Sequence, residues 1–445
     1  MALPVEARDL PVVDVLPQLA RALESEGSAV LVAPPGAGKT TVAPLWLVEQ
    51  AWLRGRIVML EPRRLATRAA ARRMATLLGG EVGGLVGYQT RDERRVGRDT
   101  RIEVVTEGVL TRRLQHDPEL PGVDLVIFDE IHERNVPTDL GLALALDARD
   151  NVRPDLRVLA MSATPDLAKV SAILGDAPTI ESVGRTFDVD TRWLPMMKGT
   201  RIEQATGEAV LRALADEPGD ILVFLPGIGE IRRVEQFLAA RVGPLVDVRL
   251  LAGALSLAEQ DLALSPSPAG RRRVVLSTDI AESSLTVSGV RIVVDAGLAR
   301  VPRHDLGTGM TRLTTISTSR ASADQRAGRA GRTEPGVAYR LWSKLEHATR
   351  RAHLEAEITQ VDLAGVALEL AAWGTPVTDL RFIDPPPARA MQQAHDLLRN
   401  LGAIGDAGVP TPTGRSMLGL PLHPRLARMV VDSPADTRGL ACVIA

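Results

Sequence analysis

Short apolar runs without alternation recur along the chain, and stretches with helical spacing separate them. From Ser28 to about Val183 the runs are Ala29-Val30-Leu31-Val32, Ile57-Val58-Met59-Leu60, Ile102-Glu103-Val104-Val105, Leu125-Val126-Ile127-Phe128 and Val158-Leu159-Ala160-Met161. Continuous runs of this length predict parallel strands covered on both faces. Helical segments such as Leu65 to Leu78 lie between them, so the pattern predicts a doubly wound α/β lobe over residues 1–190. A second set is Ile221-Leu222-Val223-Phe224-Leu225, Val246-Asp247-Val248-Arg249-Leu250-Leu251, Val274-Val275-Leu276-Ser277 and Ile292-Val293-Val294. It predicts a second α/β parallel-sheet lobe over residues 191–340.

Two departures from this pattern stand out. Arg303-His304-Asp305-Leu306-Gly307-Thr308-Gly309-Met310-Thr311 reads as the heart of a β-hairpin, residues 299–318, with a glycine-bearing turn. After Leu341 the strand pattern stops and helical patterns dominate, with a break at Asp384-Pro385-Pro386-Pro387 and a further helical segment from about Ala388. The apolar run Leu440-Ala441-Cys442-Val443-Ile444-Ala445 has no polar cap, so more chain is expected beyond it.

Composition narrows the picture. A length of 445 residues suggests about three domains. Hydrophobic residues are 45% and charged residues 24%, as in globular proteins with a sizeable core. Aromatics are 3%, so aliphatic side chains must fill that core. Lys and Arg total 53 against 55 Asp and Glu, so a nucleic-acid reading needs a local cationic track rather than overall basicity. The single cysteine, Cys442, excludes a disulfide or a cysteine metal cluster within the chain. Met1-Ala2-Leu3-Pro4-Val5-Glu6 lacks a basic segment leading into an apolar run, and no stretch approaches the roughly 20 apolar residues of a membrane helix. A soluble, cytoplasmic protein is expected.

Three stretches carry candidate chemistry. Ala33-Pro34-Pro35-Gly36-Ala37-Gly38-Lys39-Thr40-Thr41 follows a strand and opens a helix, the context in which a glycine loop cradles phosphates. Lysine occurs only at positions 39, 169, 198 and 344, so one inside a glycine loop is informative. Lys39 would reach the β- and γ-phosphates and Thr40 would ligate Mg2+. Asp129-Glu130-Ile131-His132 directly follows an apolar strand; two acids there are costly unless a metal neutralises them. Asp129 would hold Mg2+, and Glu130, also beside the metal, would act as general base. His132 has no H-E-x-x-H or cysteine companion, so a role between the lobes suits it better than a zinc site. In Gln325-Arg326-Ala327-Gly328-Arg329-Ala330-Gly331-Arg332, Gln325, Arg329 and Arg332 fall within about one helical turn of each other. They could offer guanidiniums to a γ-phosphate; a solvated basic helix is the plainer alternative.

Together and in this order, these stretches resemble a superfamily 2 helicase of the DEAH/RHA group. Asp129-Glu130-Ile131-His132 is its D-E-x-H box with isoleucine in place of the usual alanine. Further stretches match in order: Glu61-Pro62-Arg63-Arg64-Leu65-Ala66, Thr106-Glu107-Gly108-Val109-Leu110, Ser162-Ala163-Thr164, Val223-Phe224-Leu225-Pro226-Gly227 and Ser277-Thr278-Asp279-Ile280-Ala281-Glu282-Ser283-Ser284-Leu285-Thr286. The resemblance implies two RecA-like lobes, then a winged-helix domain over 341–387 and the start of a helical ratchet domain over 388–445. It implies that Ser162 and Thr164 couple hydrolysis to lobe movement, and that Arg63, Arg64, Thr106 and Thr278 line the strand path. The hairpin would act as a hook or wedge. The implied activity is 3′-to-5′ movement on single-stranded nucleic acid, with RNA the expected strand, driven by ATP or another NTP with Mg2+. A regulatory GTPase is disfavoured because no lysine follows an asparagine, as its N-K-x-D motif requires. A nucleotide-gated RNA-binding scaffold with little hydrolysis is the remaining alternative.

Overall fold

The computed structural model describes residues 4–445 other than 165, 166, 185, 186, 284–286, 306 and 333. Ser284, Leu285 and Thr286 of the motif beginning at Ser277, and Leu306 of the hairpin turn, therefore lie outside the described residues.

The apolar runs become strands of two sheets. The strands of lobe 1 are β1 Ser28–Val32, β2 Arg56–Leu60, β3 Val86–Gln89, β4 Arg94–Arg95, β5 Ile102–Val105, β6 Val123–Phe128, β7 Arg157–Ser162 and β8 Thr179–Glu181. They form one sheet in the order β4-β3-β5-β2-β6-β7-β1-β8. Every pairing is parallel except β3 with β4. That exception lies at the sheet's edge, where the exposed Arg94 and Arg95 discourage pairing with another chain. The central strands are covered on both faces; Leu31, Met59, Ile127 and Leu159 are fully buried with Ile57 and Leu125 in one cluster, and Val30, Val58, Val126 and Phe128 in another. Each such apolar side chain stabilises the fold by roughly 1.5–3 kcal/mol.

Lobe 2 contains β9 Val189–Trp193, β10 Asp220–Phe224, β11 Val246–Leu251, β12 Arg272–Ser277, β13 Val290–Asp295 and β16 Gly336–Arg340. Its sheet runs β11-β12-β10-β13-β16-β9, all parallel. Because β9 belongs to this sheet, the boundary expected at 190/191 falls inside a strand, and lobe 2 begins by Val189. Between β13 and β16 the strands β14 Leu298–Asp305 and β15 Met310–Ser317 form the expected antiparallel hairpin.

Four helices after lobe 2, Ala364–Trp373, Ala388–Asn400, Pro412–Leu418 and Pro424–Asp432, share a hydrophobic cluster with lobe 1, in which Leu363, Leu398 and Met417 join Leu110, Leu114 and Leu144. Ala364–Trp373 packs directly on Ala388–Asn400. The boundary expected at 387/388 thus runs between two packed helices. Trp373 Nε1 and Thr375 Oγ1 both donate to Asp147 Oδ2 of lobe 1, at 2.7 and 3.0 Å.

Candidate functional site

The carboxyl ends of the parallel strands collect on one edge of each sheet, the usual place for ligands in this architecture. After β1 the chain turns through Ala33–Thr41. Gly36 and Gly38 have φ of +89° and +96°, a region that suits glycine. A Cβ on Gly38 would press against Leu10 and Val12 at 3.1 Å, whereas one on Gly36 would meet nothing within 4 Å, so the loop is braced beneath and open at Gly36. The N–H of Val12 donates to the Ala37 carbonyl at 3.1 Å, and that of Ala33 to the Ser162 carbonyl at 3.0 Å. The helix Lys39–Leu47 starts here and turns its first N–H groups toward the opening.

Lys39 is 4% exposed, and its Nζ lies 2.9 Å from Glu130 Oε1 and 3.9 Å from Asp129 Oδ1. Burial pulls its pKa down, but Glu130 and Asp129 outweigh burial and raise it. Burial likewise pushes the Glu130 carboxyl up, yet Lys39 and His132 hold it at about 2. Thr40 Oγ1 donates to Asp129 Oδ2 at 2.5 Å. Glu130 itself has φ +52°, and its N–H donates to Asp129 Oδ1 at 2.8 Å. This strained backbone is held at the end of β6, as functional sites often require.

A polar chain leads from this loop to lobe 2. Ser162, whose carbonyl holds Ala33, accepts from the Thr164 N–H at 3.0 Å. The Ala163 N–H donates to His132 Nδ1 at 3.4 Å, and His132 Nε2 lies 3.4 Å from the Gln325 side-chain amide. Gln325 sits on the helix Arg320–Ala327, and Arg329 and Arg332 follow it. The arginines are not equivalent. Arg326 turns into lobe 2, with Nε 2.8 Å from Glu282 Oε2 and one terminal nitrogen 3.0 Å from Asp295 Oδ1. Arg329 donates to the carbonyls of Glu282 and Ser283. Burial and the nearby Arg332 drive the Arg329 pKa far down, with Glu130 opposing. Burial lowers Arg332 to about 10, again with Glu130 opposing. Both therefore feel the Glu130 carboxylate across the lobe boundary.

The strand candidates separate. Arg63 donates to the Asp279 carbonyl at 2.7 Å and to Glu133 Oε2 at 3.3 Å, so it ties lobe 1 to lobe 2. Arg64 points outward and pairs with Asp92 at 2.5 Å, with both side chains more than half exposed. Thr106 precedes the helix Glu107–His116 and Thr278 follows β12; both are half-buried at carboxyl strand ends. Sequence reasoning passed over Glu133, which also accepts from Ser283 Oγ of lobe 2, and Glu61, a fully buried acid after β2. A cavity of about 500 Å³ opens where both lobes, the hairpin base and the C-terminal helices meet, lined among others by Arg63, Glu133, Thr164, Arg300 and Asp384.

Two ordered lobes, a phosphate-type loop on one and arginines from the other beside its acid pair define a helicase-class architecture. The chain belongs to the DEAD/DEAH box helicase family: residues 16–173 match that family and residues 205–334 match the helicase conserved C-terminal domain. It is 47% identical over 428 residues to the ATP-dependent RNA helicase HrpB of Escherichia coli, an alignment covering 96% of this chain and 53% of that protein. It is 36% identical over 437 residues to the ATP-dependent RNA helicase HrpA of Escherichia coli, covering 96% of this chain and 33% of that protein. A crystal structure of the Escherichia coli DEAH/RHA helicase HrpB superposes with a TM-score of 0.93 at 46% identity, covering 98% of this chain and 56% of that one. The chain thus spans between a third and about half the length of these curated relatives. Among the described residues no helix is long and apolar enough to cross a membrane.

Proposed function

We propose that the chain carries the motor portion of an NTP-driven RNA helicase, with ATP the expected fuel. The observation that carries this reading is that lobe 2's Arg329 and Arg332 lie within electrostatic reach of Glu130 in lobe 1's Lys39–Glu130 pair. Without ATP, Lys39 neutralises Glu130 and Asp129. A γ-phosphate entering over Gly36 competes for the same ammonium. As Lys39 turns toward it, Glu130 loses the cation that holds its carboxyl near pKa 2 and becomes a stronger base for a water. Arg332, and Arg329 on release from its carbonyls, close onto the phosphate. Such arginines contribute about 10³ to 10⁵ in rate.

Mg2+ fits the donor set. Thr40 Oγ1 and Asp129 Oδ2 already converge, and hydroxyl and carboxylate oxygens are the hard ligands this ion prefers. The buried Glu61 oxygens and Glu130 Oε2 beside them receive no hydrogen bond from a donor group. Among the described residues no three His, Cys, Asp or Glu side chains converge closely enough to cage a metal, which suits an ion that keeps its waters and leans on phosphates. When bound it would neutralise charge on the β- and γ-phosphates.

Thr106, Thr278 and the freed Arg63 would hold the strand backbone, and the polar chain from Ala33 through Ser162 and His132 to Gln325 would report the nucleotide state to lobe 2. Backbone contacts of this kind predict little sequence preference and strong salt dependence. Movement is assigned as 3′-to-5′ and RNA as the strand on the strength of the family resemblance. Glu130→Gln should bind ATP with near-normal affinity while RNA-stimulated phosphate release falls at least a hundredfold. Unchanged turnover in that variant would remove Glu130 from the reaction, and ATP binding by the unmodified protein without RNA-stimulated hydrolysis would favour the scaffold reading.

A further inference from the structure

Glu61 opens the stretch Glu61-Pro62-Arg63-Arg64, yet neither the nucleotide nor the strand reading gives it a role of its own. Its backbone continues the sheet, with its N–H donating to the Val105 carbonyl at 2.9 Å. Its side chain is turned inward and is 0% exposed. Neither carboxyl oxygen receives a hydrogen bond from a donor group, and the only partner it faces is Asp129, to which it can offer no more than its own proton. The carboxyl lies against that of Asp129, another acceptor, with Glu130 and Lys39 in electrostatic range. Lys39 does not satisfy it: its ammonium lies 2.9 Å from Glu130, and no hydrogen bond joins it to Glu61.

A buried carboxyl with two orphaned oxygens is expensive, and such groups persist where something absent from the bare protein supplies the donors. The missing donors must come from a species that fits beside Asp129 and brings several polarised O–H groups. A hydrated Mg2+ ion does so, because it retains several waters when bound through one carboxylate, one hydroxyl and phosphate oxygens. Outer-sphere acceptors of this kind fix metal-bound ligands and tune affinity.

We propose that Glu61 is a positioning residue for the metal, accepting hydrogen bonds from water molecules of a Mg2+ ion held at Thr40 and Asp129. This inference rests on the nucleotide reading above. It separates the two carboxylates at the strand ends: Asp129 ligates, Glu61 orients the hydration shell.

The test is the gain in affinity for a fluorescent ADP analogue on going from EDTA to excess Mg2+, measured for the unmodified chain and for Glu61→Gln and Glu61→Met. The variants should bind the analogue normally in EDTA, while the Mg2+-dependent gain shrinks 10- to 100-fold. Both variants should melt no lower than the unmodified chain without ligand, because each removes a buried, unsatisfied carboxyl. A gain within twofold of the unmodified chain in either folded variant would overturn the proposal. A merely structural Glu61 would lower the melting temperature and leave that gain in place. If the unmodified chain itself gains nothing from Mg2+, the nucleotide reading fails and this one with it.

Discussion

Buried charge at single residues sets the chemistry. Lys39 stays protonated in a dry site because Glu130 and Asp129 face it; without them burial would favour the neutral amine. Glu107 is the opposite case. Burial, with Glu133 nearby, pushes its carboxyl from the ordinary 4.5 up to about 8. The folded protein therefore binds more protons here than the unfolded chain between those two values, and stability falls as pH rises through that window. Glu107→Gln keeps the shape and removes the titration. Thermal unfolding from pH 5 to 9 should show the unmodified protein losing stability relative to this variant, by up to about 1.4 kcal/mol per pH unit. Parallel curves would show that Glu107 does not titrate differently on folding. At this scale the glycine loop and the acid pair were legible, because each is a contiguous stretch whose residue types are demanding. The spacing set Arg329 and Arg332, not Arg326, toward a phosphate; what holds Arg326 back was not legible, because its partners Glu282 and Asp295 in lobe 2 are distant in sequence. Glu61 was legible only as the first residue of a family-like stretch and Glu133 not at all, since nothing local marks an acid that will be buried by distant chain.

Among the elements, the long central strands were legible from unbroken apolar runs. β9 and β16 were missed because Val189–Trp193 mixes polar with apolar residues at the sheet's edge, and Gly336–Arg340 begins on glycine and ends on arginine. The hairpin was legible from its glycine-bearing turn, but its anchorage was not. His304 donates its N–H to the Gln360 carbonyl at 2.8 Å, and Asp362 Oδ2 lies 3.7 Å from His304 Nδ1 and 3.2 Å from His423 Nε2. His423 Nδ1 accepts from the Arg425 N–H at 3.2 Å, so its other nitrogen carries the proton that Asp362 receives. Asp362 thereby clasps the hairpin of lobe 2 to the C-terminal helices. Asp362→Ala should raise amide hydrogen exchange in residues 298–317 at least tenfold while the central strands of both sheets keep their protection. Unaltered exchange in the hairpin would mean that β14–β15 pairing alone holds it.

Across the whole molecule, the two lobes and the C-terminal helices are tied at a few specific points. Leu65 and Ala66 of lobe 1 share a cluster with Leu222, Phe224 and Val275 of lobe 2. Asp384, inside the proline-rich break, pairs with Arg134 at 2.8 Å and with Lys169 at 2.5 Å, both on lobe 1. That break reads as a domain boundary in one dimension because prolines interrupt helices; in three dimensions it is a docking point between packed helices. The account's central claim is that lobe 1 anchors the nucleotide and lobe 2 completes its site. The most direct measurement is a structure of this chain with ADP, aluminium fluoride, Mg2+ and single-stranded RNA. The account predicts Lys39 and at least one of Arg329 and Arg332 within about 3 Å of the fluoride group. A fluoride group contacted by lobe 1 alone, with both guanidiniums still turned to lobe 2 carbonyls or to solvent, would contradict it.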